Sequence, residues 1–120
     1  MQTGDSAWEP VDLLIGGRHL RLLKIVKSHK PEKKWDAHFQ VFGANGAKHE
    51  KIVSFGAKGY QDFTQHRDEH RKHLYLQRHG RGRESWSSPD TAGSLARWVL
   101  WNKPGFRESV RDFKRRFNLG

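Results

Sequence analysis

His66, His70 and His73 stand four and three residues apart. On a helix that spacing puts three imidazoles on one face, and with Asp62 or His79 they form a zinc ligand set. The chain holds 8 histidines, so three of them in one polar helix are more readily read as packed or partly exposed side chains. They are weak metal candidates, and no cofactor is expected. No His-Glu-x-x-His motif is present, which excludes the metalloprotease arrangement. Asp62, Asp68 and Glu69 beside His70 are the groups a metal-dependent nuclease would need. Their spacing matches no nuclease motif, and carboxylates beside arginines on a helix ordinarily make weak surface pairs. Gly56 and Gly59 flank Lys58, but the Gly-Lys-Ser/Thr phosphate loop is missing, so these glycines are expected to shape a strand-to-helix turn. With no cysteine there is neither a disulfide nor a thiolate nucleophile. No catalytic residue is assigned, and the chain is read as a non-enzyme.

Positive charge is the chemistry the chain does carry. Lys and Arg number 23 against 13 Asp and Glu, a formal net charge of +10. A surface of this kind attracts polyanions. The cations fall in three stretches: Lys27 to Lys34, Arg67 to Arg83, and Lys103 to Arg116. Arg107, Arg111, Lys114 and Arg115 recur at helical steps, so they share a face able to follow a phosphate backbone. In Arg78-His79-Gly80-Arg81-Gly82-Arg83 the glycines let the backbone approach a phosphate, and Trp86 nearby is suited to base stacking or, equally, to anchoring a mobile connector. The expected phosphate contacts are Lys33, Lys34, Arg78, Arg81, Arg83, Arg107, Arg111, Lys114 and Arg115. Nucleic acid, DNA or RNA, is the expected partner. The rival is a structural subunit of a virion or ribonucleoprotein, its basic surface meeting acidic partner proteins.

The elements that must hold these residues read as follows. Val11–Ile15 and Leu20–Val26 are apolar runs split by Gly16-Gly17, a first hairpin. Lys27–Lys34 lacks apolar residues and reads as a solvated loop. Trp35, Ala37, Phe39 and Val41 alternate with polar residues, the period of a strand with one buried face. Asn45-Gly46 signals a type I′ turn, and Lys51–Phe55 returns as the partner strand. Tyr60–His79 contains neither proline nor glycine and is expected to be one helix anchored by Phe63 and Leu74. Ser88-Pro89-Asp90 supplies an N-cap, a first-turn proline and an acid for a second helix bearing Leu95, Trp98, Val99, Leu100 and Trp101. Phe106, Val110, Phe113 and Phe117, at steps of four, three and four, mark a third, amphipathic helix.

The order Phe55-Gly56-Ala57-Lys58-Gly59-Tyr60, then Thr91 to Pro104 with its Trp98-Val99-Leu100-Trp101 core, then a basic amphipathic end, resembles a family of small uncharacterised basic proteins. These are encoded by giant (nucleocytoplasmic large) DNA viruses of algae and protists. The resemblance covers roughly the C-terminal two thirds and takes in the Trp35 strand, while residues 1 to about 20 fall outside it. The family has no assigned activity, so no residue role carries over. It implies a viral or protist setting in which basic proteins accompany a packaged genome.

These observations predict a single α+β domain over residues 1–120. An N-terminal antiparallel sheet of three to four strands (11–55) is followed by three helices packed on it (59–118). Met1–Pro10 resembles neither a secretory signal nor a transit peptide. No apolar run approaches the ~20 residues that span a bilayer. The expectation is a soluble protein, intracellular or virion-associated, with no membrane partner.

Overall fold

The structure, a computed structural model of the chain, describes residues 19–43, 46–80 and 86–120. Three antiparallel strands, β1 (His19–Lys27), β2 (Lys33–Phe42) and β3 (Lys48–Ala57), form a sheet in the order β1-β2-β3. Helices follow: α1 (Phe63–His66), α2 (Glu69–His79), α3 (Ala92–Leu95) running on into a π-helical segment (Ala96–Leu100), and α4 (Phe106–Arg116). This is the predicted α+β class, with three strands among the described residues. Of the expected first hairpin, Val11–Ile15 and Gly16-Gly17 lie outside the described residues. Its second run is β1, which pairs with β2.

The alternation along β2 turns Trp35, Ala37, Phe39 and Val41 toward the helices. Across the ladders, Leu20 faces Val41, Leu22 faces Phe39, and Phe55 faces Trp35. With Leu95, Val99, Leu100, Phe113 and Leu119 these side chains form the core. Phe39, Phe55 and Phe113 are wholly buried, each stabilising the fold by about 1.5–3 kcal/mol. A register shift between Leu22 and Lys24 leaves Leu23 out of the ladder. The shift lets Ile25 rather than Lys24 return to the core face after Leu20 and Leu22. The β1 edge is occupied at Leu22, whose N–H donates to the Leu119 carbonyl at 3.0 Å, so the chain end covers part of an otherwise unpaired strand.

On the opposite face of the sheet Asp36 is 3% exposed. It accepts hydrogen bonds from Ser28 Oγ (2.6 Å), the His29 backbone N–H (3.1 Å) and Ser54 Oγ (2.7 Å), and it meets His29 Nδ1 at 2.5 Å. Burial disfavours its charged form, but the bonds from Ser28, His29 and Ser54 prevail and hold its carboxyl well below the usual carboxylate range. The β1–β2 loop is thereby clamped onto the sheet. It is shorter than expected: Lys27 ends β1, and Lys33 and Lys34 open β2.

Two helix expectations are corrected. Tyr60–His79 is not one helix. Asp62 caps α1 in a capping box with Gln65, Arg67 ends α1 in the left-handed region (φ 55°), and Asp68 caps α2 by accepting from the His70 and Arg71 N–H groups. Propensity favoured continuity, but two aspartates offered the backbone competing partners. The anchor of α2 is Tyr75, which is buried, whereas Leu74 is exposed. Likewise Thr91 rather than Ser88 caps the second predicted helix, its side chain accepting from the Ser94 N–H at 3.2 Å. The third helix forms as predicted, with Phe117 at its C-cap. The β2–β3 turn places Gly46 at φ 85°; Asn45 lies outside the described residues.

Candidate nucleic-acid interface

Basic side chains gather in two places, on α4 and around the β3–α1 connection. On α4, Phe106, Val110, Phe113 and Phe117 pack on the core, which turns Arg107, Arg111 and Arg115 outward on a single row. Four residues of helix rise about 6 Å, so three guanidinium groups stand in line over some two turns. Among the described residues Arg107 and Arg111 have no ion-pair partner. Arg115 is 77% exposed and donates to Asp112 Oδ1 at 2.7 Å. Lys114, predicted on the same face, is half-buried and sits beside the row.

Asp112, 6% exposed, is the support beneath that row. It accepts from Asn102 Nδ2 (2.7 Å), from Arg115 and from Arg116 (3.3 Å). Burial opposes its charge, yet the Asn102 bond and the nearby Arg116 keep its carboxyl below the ordinary range. The Asn102 bond ties α4 to the preceding loop, where Ser109 Oγ also accepts from the Lys103 N–H at 3.0 Å. Arg116 lies 3.9 Å over the Trp98 ring and Arg97 lies 4.1 Å from it, two cation–π contacts on one indole. Burial first, and then Arg116, lowers the affinity of Arg97 for its proton. Trp86 serves as an anchor: its carbonyl accepts from Trp98 Nε1 at 3.0 Å, and a Cβ on Gly80 would meet its ring at 2.8 Å.

The second gathering surrounds the β3–α1 connection. Gly59 (φ 94°) makes the predicted turn, whereas Gly56 (φ 81°) lies within β3, where a Cβ would press on Leu100 and Lys34. Lys34 is already engaged, its Nζ bonding Asp62 Oδ2 at 2.7 Å and Gln65 Oε1 at 2.9 Å with 15% of the side chain exposed. It fixes the start of α1 rather than presenting a cation to solvent. Lys33 is half-buried at the edge of a cavity of about 340 Å³ shared with Tyr75 and Trp101. Arg78 is exposed on α2 and lines a cavity of about 310 Å³ with Arg71, Tyr60 and Trp101. Arg81 and Arg83 lie outside the described residues.

The histidine triad does not assemble. His66 belongs to α1 while His70 and His73 belong to α2, beyond the Arg67 break. Among the described residues no group of three or more His, Cys, Asp or Glu side chains is placed to hold a metal ion. His66 is instead packed, its ring centroid 5.3 Å from Trp101 and 6.2 Å from Phe63. Its Nδ1 accepts from the Asp68 N–H at 2.9 Å, which leaves the proton of the neutral ring on Nε2, a buried atom with no hydrogen bond.

Sequence reasoning read Lys58 and Tyr60 as part of a turn and Arg71 as one cation of a basic helix, and did not bring them together around adjoining cavities. The available signal was Tyr60 itself, a large ring directly after a glycine-shaped turn and just before an N-cap.

A three-stranded sheet backed by helices, with basic side chains on α4 and around the β3–α1 connection, defines a small basic α+β domain. Residues 23–79, the sheet together with α1 and α2, match the model of a family of unknown function, DUF5754, over just under half of the chain. The match thus takes in the Phe55–Tyr60 turn but not the Trp-rich and C-terminal helices. No curated protein and no solved structure matches the chain. No helix among the described residues is long and apolar enough to cross a membrane.

Proposed function

We propose that the protein binds nucleic acid by phosphate contact and carries out no chemical step on it. The observation behind this reading is the row Arg107, Arg111 and Arg115, outward on a helix whose inner face is locked into the core. Four acids are enclosed by the fold, while Glu32, Glu50, Asp68, Glu69 and Glu108 remain exposed. Asp36, Asp62, Asp90 and Asp112 are buried, but Asp62, Asp90 and Asp112 each hold a Lys or Arg, so the surface charge is set by the overall excess of +10. Arg78 and Lys33 add cations from α2 and β2, whereas Lys34 is excluded by its pairing with Asp62. Regularly spaced guanidinium groups match a backbone of regularly spaced phosphates and read no base. The setting we attach to this reading is a genome- or virion-associated one, as the resemblance to viral basic proteins implies.

The test is affinity for labelled duplex across a salt series, for the wild type and for the double variant Arg107→Ala/Arg111→Ala. The expected wild-type slope of log K against log[salt] is about −4 to −6, and loss of two phosphate contacts should reduce its magnitude by about 2. An unchanged slope removes α4 from the interface. Absence of binding near 50 mM salt, where such contacts are strong, ends the reading and points to an acidic protein partner instead.

A further inference from the structure

Tyr60 is 75% exposed, the most exposed of the large hydrophobic side chains described. Among the described residues its ring makes no aromatic or cation–π contact, yet the backbone beneath it is fixed. Gly59 turns the chain at φ 94°, the Tyr60 N–H donates to the Ala57 carbonyl at 3.3 Å, and Asp62 two residues later caps α1. The ring therefore stands out from a firmly held turn and does not lie on a loose loop.

Tyr60 and Gln61 line three adjoining cavities, of about 590, 340 and 310 Å³. The first holds Lys27, Lys58 and the half-buried Trp35. The second runs to Tyr75 and Trp101, whose rings stack at 4.3 Å and 3°. The third is bounded by Arg71 and Arg78. The surface is thus a groove with exposed cations at both ends and the exposed Tyr60 ring between them, while Tyr75 is buried with His79 and Trp101 stacked on it. Two carboxamides on its floor are already oriented. Gln65 Oε1 accepts from the Asp62 N–H (3.0 Å) and from Lys34, and Gln61 Oε1 accepts from Arg71 Nη1 at 3.4 Å.

We infer that this groove takes the unpaired bases of a single-stranded nucleic acid, with Tyr60 as the stacking platform and Lys27, Lys58, Arg71 and Arg78 on the flanking phosphates. The inference rests on the nucleic-acid reading above and deepens it. A duplex keeps its base faces stacked on one another and cannot present them to Tyr60, whereas a single strand offers both a π-face and a charge at each nucleotide. An acidic peptide would use the cations but leave the ring without a purpose. The α4 row, which lacks an exposed aromatic side chain, carries no such preference.

The experiment measures binding of labelled oligo(dT) and oligo(U) of about 12 nucleotides, and of a duplex of the same length, to the full chain as wild type, Tyr60→Ala and Tyr60→Phe. Because Tyr60 is exposed and unpacked, the variants fold as the parent does, which a matching thermal midpoint verifies. Tyr60→Ala should weaken binding of the preferred single strand by about tenfold or more. It should leave the duplex within about twofold, and Tyr60→Phe should keep the single-strand affinity because the stacking face is retained. If Tyr60→Ala changes neither single strand, or lowers single strand and duplex alike, the groove is not a base-stacking site even though nucleic-acid binding stands. If the wild type binds none of the three probes, the parent reading fails and this inference with it.

Discussion

On α4 the arginines stand on one uninterrupted helix, whereas around Tyr60 the cations arrive from β1, the β3–α1 connection and α2. The first arrangement is a straight row set by helical periodicity and locked from beneath by Asp112. The second is a concave surface made possible by a break, the left-handed Arg67 between two aspartate caps. Similar charge is thus set in two different geometries. On the proposed reading a row on a convex helix meets phosphates alone, while cations set around the exposed Tyr60 ring meet phosphates and bases together. Charge counting treats the two regions as equivalent, and only their geometry separates them.

The contrast is broken most severely from the α4 side. Asp112→Ala leaves the buried Asn102 amide without its acceptor, so it should destabilise the fold by about 1–3 kcal/mol. The loss is read as a lowered urea midpoint at unchanged slope. A midpoint equal to wild type would mean that Asp112 does not hold the row in place. The groove side is tested at Arg67. Arg67→Val forces a β-branched residue into the left-handed region and should cost about 1–2 kcal/mol, while Arg67→Gly should be neutral or stabilising in the same denaturation series. Equal effects from valine and glycine would contradict the break that shapes the groove.

The smallest effect expected is a pH dependence confined to the groove side. Burial of the His66 ring, aided by Arg71 and Lys34 and opposed by Asp68 and Asp62, holds its pKa below the ordinary 6.5. The folded state then binds fewer protons than the unfolded chain, so the His66 contribution is complete above about pH 6.5 and is lost as pH falls toward the folded pKa. Protonation would also place a hydrogen on Nδ1 against the Asp68 N–H. The thermal midpoint should therefore decline between about pH 7.5 and pH 5.5, and His66→Gln should flatten that decline. Asp36 and Asp112, whose pKa values are also lowered, act at lower pH: their contributions are complete above the ordinary carboxylate range and are lost only in acid. An equal decline in the variant would assign the effect to other groups.

Much of the fold was legible from short-range pattern. The alternation Trp35-Asp36-Ala37-His38-Phe39 determined a strand with one core face, and the Phe106–Phe117 spacing determined α4 and, with it, the outward arginine row. Both follow from backbone periodicities that do not depend on what the segment packs against. The Asp68 cap was equally local, and attention to it would have divided the Tyr60–His79 segment, as the capping box Asp62–Gln65 would have moved its start. Tertiary structure alone decided the rest. Lys34 meets Asp62, 28 residues away, and so becomes internal. The histidine triad is divided between two helices, and Tyr60 and Arg78 come to border one cavity. Sequence periodicity specifies which way a side chain points from its own element, but whether a charge is free, paired or enclosed depends on which distant element folds against it.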